Sequence, residues 1–104
     1  MNIKLEELKE KREELVKELE TLNEQINNAK DHIMFTRGKI TMIDELNNDN
    51  DEELQQAREK LVKELEDVTK QFNGINEHIM FTRGKINMVD EIGSKITDDD
   101  IEDK

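Results

Sequence analysis

The chain has 104 residues, with 27 acidic and 16 basic side chains for a formal net charge of −11, and it contains neither Cys nor Pro. That composition excludes disulfide scaffolds, thiol catalysis and cysteine-ligated zinc, and leaves too little turn chemistry for a β-sandwich or barrel. Only 33% of the residues are hydrophobic, and no window approaches the roughly 20 apolar residues of a membrane span, so the expectation is a cytoplasmic, all-α chain with no membrane contact.

A tandem repeat organises the chain. Displacement by 46 residues superposes Lys11–Leu46 on Ala57–Ile92 with 22 identities in 36 pairs. The identities concentrate in LVKELE, at 15–20 and 61–66, and in HIMFTRGKI, at 32–40 and 78–86. Two copies this alike are expected to adopt one conformation twice.

The first element is a helix filling residues 1–47. Leu5, Leu8, Leu15, Leu19, Leu22, Ile26, Ala29, Ile33, Thr36, Ile40 and Ile43 recur at alternating steps of three and four, with Arg12 in one slot. This is a coiled-coil seam. Residues 48–53 form an acidic turn, in which Asn50 and Glu53 make a capping pair for the next helix. Residues 54–92 repeat the seam through Leu54, Leu61, Leu65, Val68, Phe72, Ile75, Ile79, Thr82, Ile86 and Val89, and Arg58 takes the slot of Arg12. Gly93 then suits a helix C-terminus, and 93–104 is an acidic tail. Two helices joined by a short turn form an antiparallel coiled-coil hairpin, and its narrow apolar seam predicts self-association into a helical bundle. The alternative is four shorter helices, broken near 27–29 and 73–75, where Asn and Gly tolerate left-handed backbone. The unbroken phase of the seam favours continuity. Turn-facing residues should then carry numbers adding to about 99, which sets Ile26 opposite Phe72.

Most of the excess negative charge lies in the turn and tail. A DNA mimic needs it spread along the helices, and direct nucleic-acid binding needs a basic stripe, so neither is expected. The repeated segments stand apart: 33–43 and 79–89 contain no acidic residue and two basic ones each, Arg37 with Lys39 and Arg83 with Lys85. His32, Phe35, Lys39 and Met42 share one side of the helix, with Gly38 outermost. An outer glycine permits close approach by another molecule. The candidate binding residues are therefore His32, Phe35, Arg37, Gly38, Lys39 and their mates His78, Phe81, Arg83, Gly84, Lys85. Two structural alternatives compete: the Arg and Lys residues pair with Glu across the bundle, and Phe35 and Phe81 complete the intramolecular core.

Catalysis and metal binding are not expected, and no cofactor is implied. Ala29 and Ile75 stand where a Glu-x-x-His bundle site needs carboxylates, and Thr-Arg-Gly-Lys-Ile lacks the first glycine and the preceding strand of a phosphate loop. The chain reads as a non-enzymatic interaction module that presents HIMFTRGKI twice to a target protein, of the kind small phage or mobile-element regulators and inhibitors use. One alternative is an oligomeric sponge that holds an anionic, nucleotide-like ligand between islands of different chains. Another is a purely structural coiled-coil scaffold.

Overall fold

The computed structural model describes residues 2–46 and 50–102, with side chains as far as Ile96. Two helices account for almost all of them: α1, Leu5–Leu46, and α2, Glu52–Glu102. The two helices pack against each other as an antiparallel hairpin, as the heptad seam requires. Both run unbroken past Asn27–Asn28 and Asn73–Gly74, so the four-helix alternative fails. The seam explains why: Ile26, Ala29 and Ile33, like Phe72, Ile75 and Ile79, are all buried or half-buried, and a break would take them off the contact line. Helix propensity alone sets a cost of only about 1 kcal/mol for Gly74, which the packed seam outweighs. Nothing in the structure explains why that position is Gly, where the first repeat has Asn28.

The contacts divide the chain into two units, one of residues 24–76 and one of 1–23 with 77–104. In the turn-proximal unit, Ala29 and Thr36 from α1 and Val68 from α2 are buried. Arg58 clasps Asp44, with Nε donating to Oδ1 at 2.8 Å and Nη2 to Oδ2 at 3.3 Å. His32 Nε2 lies 2.7 Å from Glu64 Oε1. In the terminal unit, Leu8, Leu15 and Leu22 pack with Ile79 and Thr82 in the core. There Arg12 Nε donates to Asp90 Oδ1 at 2.7 Å, and His78 Nε2 lies 2.9 Å from Glu18 Oε1. The ties of one unit are thus the repeat mates of those in the other. Their partner numbers add to 96 or 102, on either side of the 99 expected from the turn.

The two seam arginines keep their charged heads in water, on the rim of the packing line. The Arg58 hydrogen bond holds the Asp44 carboxyl below its ordinary pKa, and the Asp90 hydrogen bond raises the Arg12 guanidinium further.

Two boundaries differ from expectation. The start of α2 is capped by Asp51, not by Asn50 with Glu53: the amide of Leu54 donates to Asp51 Oδ1 at 3.2 Å, and that of Gln55 to the Asp51 carbonyl at 3.2 Å. Asp and Asn cap equally well, so the helix start is decided by the phase in which Leu54 enters the seam. The expected turn also includes 47–49, which lie outside the described residues. At the other end, α2 does not stop at Gly93 but continues to Glu102. Gly93 falls in the next seam slot after Val89 and Ile96 in the one after that, both half-buried. Leu8 Cδ1 lies 4.0 Å from where a Gly93 side chain would begin, so the glycine sits under the first buried leucine of α1. Packing there outweighs the weak preference of glycine for a helix end.

Candidate functional site

The two HIMFTRGKI segments lie wholly inside helices, Arg37 and Gly38 within α1 and Arg83 and Gly84 within α2. Helical spacing sets their inner and outer faces. Ile33, Thr36 and Ile40, with Ile79, Thr82 and Ile86, turn toward the packed seam. Around each outer glycine stand the residues three and four positions away: the apolar Met34, Phe35 and Met42 with Thr41 about Gly38, and Met80, Phe81 and Met88 with Asn87 about Gly84.

All six of these apolar side chains are more than half exposed, led by Phe35 at 66% and Phe81 at 64%. The phenylalanines therefore do not complete the intramolecular core. Each instead supports a lysine of its own helix: Lys39 Nζ lies 4.7 Å from the Phe35 ring centroid, and Lys85 Nζ 4.8 Å from that of Phe81. A Cβ atom added at Gly38 or Gly84 would meet nothing within 4 Å. Both glycines face open space.

Among the described residues, Arg37, Lys39, Arg83 and Lys85 enter no ion pair. Within the hairpin, and among the described residues, they therefore make no pair with Glu. The carboxylates that do cross between helices are taken by Arg12, Arg58, His32 and His78. Of the ten candidate residues, the two histidines consequently have a structural role as well, at the edge where the islands meet the opposite helix. Arg37 and Lys39 are two positions apart, so they project from opposite flanks of α1, as Arg83 and Lys85 do on α2. One island alone does not close both of its cations on a single small anion.

Met34 and Met80 belong to the patches but are absent from the stripe that selects Phe35, Lys39 and Met42. Their signal is the spacing of four to Gly38 and Gly84, which places them beside the glycine, across from the phenylalanine. Two seam threonines lie beneath the patches and are the most buried side chains described, Thr36 at 1% and Thr82 at 0% exposure. The Thr82 hydroxyl has no hydrogen-bond partner.

Among the described residues there is no group of three or more His, Asp or Glu side chains placed to hold a metal ion. None of the described helices is long and apolar enough to cross a membrane. Fold and surface together define a helical hairpin with a duplicated, cation-flanked apolar patch. No family model matches the chain, and no match is found among curated proteins or solved structures.

Proposed function

We propose that this protein is a non-enzymatic protein-binding module whose two HIMFTRGKI patches dock a target protein. The observation that carries this reading is the repeated exposure of Met, Phe and Met beside an open glycine, with cations that enter no ion pair among the described residues. Exposed apolar side chains gathered in one place favour burial against another surface, and unbranched methionines adapt to the shape of what they meet. Carboxylates are abundant in the chain, so the lack of a carboxylate partner at Arg37, Lys39, Arg83 and Lys85 among the described residues favours recognition over fold support.

The scaffold and ligand-sponge readings have less in their favour. A scaffold places its apolar residues along a continuous seam, and these lie off it. A sponge needs islands of different chains brought together, since the two cations of one island diverge, and it therefore requires an oligomer that the docking reading does not.

The test is affinity capture from the native host with wild-type protein and with the Arg37→Glu, Arg83→Glu double variant, followed by mass spectrometry. The expected result is a protein retained by the wild type and lost by the variant, with helicity and solution mass unchanged. If the double substitution instead dissolves an oligomer, the islands are structural and the scaffold reading replaces this one. If a nucleotide-like small molecule is the species lost, the sponge reading does.

A further inference from the structure

Gly38 and Gly84 each cost the hairpin helix stability, about 1 kcal/mol relative to Ala. Nothing in the described fold recovers that cost, since the space above each glycine is empty to 4 Å. The missing side chain lets an approaching backbone come nearer than an ordinary helix surface allows, as small residues do where two helices pack closely. Three of the four helical neighbours of that point are exposed apolar side chains, Met34, Phe35 and Met42 about Gly38 and Met80, Phe81 and Met88 about Gly84, with Thr41 and Asn87 as the fourth. Along its own helix each patch carries positive charges only, because residues 33–43 and 79–89 hold no carboxylate, and the Glu64 and Glu18 carboxylates of the opposite helix are taken by His32 and His78. We infer that each patch docks one amphipathic helix with a small residue at its contact point and acidic side chains along both flanks, so that one chain binds two such helices.

The inference rests on the docking reading above and names the chemistry of the docked segment. A second copy of this chain presenting its own patch does not satisfy the same surface. Patch against patch would gather four cations with no carboxylate among them, and like charges facing each other oppose association. An acidic helix covers the same apolar ring and supplies carboxylates to Arg37 and Lys39 on opposite flanks. The near-identical exposure of the two patches makes the sites equivalent, which sets the number at two.

The experiment uses the full chain and two synthetic helical peptides with the same Leu/Ala face, one flanked by Glu and the other by Lys at the same positions. Titration calorimetry is expected to show two Glu-peptide sites per chain, with affinity falling as salt is added, and no binding of the Lys peptide. Gly38→Leu should reduce the count to one, and Gly38→Leu with Gly84→Leu to none, with helicity retained because Leu favours a helix over Gly and its Cβ meets nothing within 4 Å at either position. Truncation by Phe35→Ala is expected to weaken its own site by about tenfold or more.

The inference is overturned if the Glu peptide fails to bind at millimolar concentration, if the Lys peptide binds as tightly, or if Gly38→Leu leaves two sites. It is overturned as well if the protein alone forms a complex that the Gly→Leu substitutions dissolve, since a second copy is then the occupant. Loss of a captured target in the Arg→Glu variant together with no Glu-peptide binding would leave the docking reading standing and remove only the acidic-helix inference.

Discussion

Replacing Thr82 by Val should make the hairpin more stable. The side chain is fully buried and its hydroxyl lacks a hydrogen-bond partner, whereas Val has nearly the same shape and needs none. An unpartnered hydroxyl in the interior costs about 1–3 kcal/mol of desolvation, and an added buried methyl contributes about 0.8 kcal/mol. Helix propensity is nearly the same for the two residues, so it does not alter the sign. Allowing for incomplete burial in the unfolded chain, the expected gain is about 1–2 kcal/mol, or on the order of 5–10 °C in Tm for a chain of this length. Urea unfolding followed by far-ultraviolet circular dichroism should give a higher midpoint with an unchanged slope. Running it at several protein concentrations separates folding from any self-association. Thr82→Ser, which keeps the hydroxyl and deletes the methyl, should shift the midpoint the other way. A neutral or destabilising Thr82→Val would refute the reasoning, because it would mean that the hydroxyl is satisfied in solution by the carbonyl one turn earlier on α2.

Other expectations follow from the same packing. Leu22→Ala removes a buried seam side chain and should cost about 2–5 kcal/mol in a denaturant melt, while Phe35→Ala, at an exposed site, should change stability by no more than about 0.5 kcal/mol. Asp51→Ala deletes the cap of α2 and should cost about 1 kcal/mol in the same melt, while Asp51→Asn, which keeps the accepting oxygen, should cost far less. The depressed Asp44 pKa means that the unfolded chain takes up a proton at this site before the folded chain does. The Arg58 clasp therefore supports folding above the ordinary carboxylate range, and its contribution is lost as pH falls through the folded-state pKa. Acid titration of Asp44→Asn should accordingly show a shallower loss of stability below about pH 4 than the wild type, and parallel curves there would exclude the clasp as a contributor.

The hairpin was legible because its cause is periodic. Steps of three and four from Leu5 to Ile43 and from Leu54 to Val89 determine which face is buried, and the structure buries that face through Leu15, Leu22, Val68 and Ile79. End effects were less legible because competing residues have similar energies. Asn50 and Asp51 are equivalent as caps until the seam selects one, and Gly93 resembles a stop until Ile96 is counted into the same rhythm. At the candidate site, the sequence marked the cations and the outer glycine, while exposure decided the role of Phe35 and Phe81. That decision depends on where the opposite helix lies, which the pattern of one helix does not contain. The pairing of His32 with Glu64 and of Arg58 with Asp44 was hidden for the same reason. Each pair joins residues distant in the chain, and a surface crowded with carboxylates offers many partners of equal chemistry.

The cross-helix ties have a consequence for how such a hairpin arises. A single 46-residue repeat already contains both members of each pair, Arg12 with Asp44 and Glu18 with His32, although the folded chain splits every pair between repeats. Two separate copies of that unit, lying head to tail, could therefore make the same set of bonds with each other. Fusing them in one gene product replaces a dilute bimolecular encounter with an effective concentration in the millimolar range, for the modest entropy of closing a short loop. It also frees the halves to diverge, so that Ala29 in one copy can become Ile75 in the other without the double change that a symmetric pair would suffer.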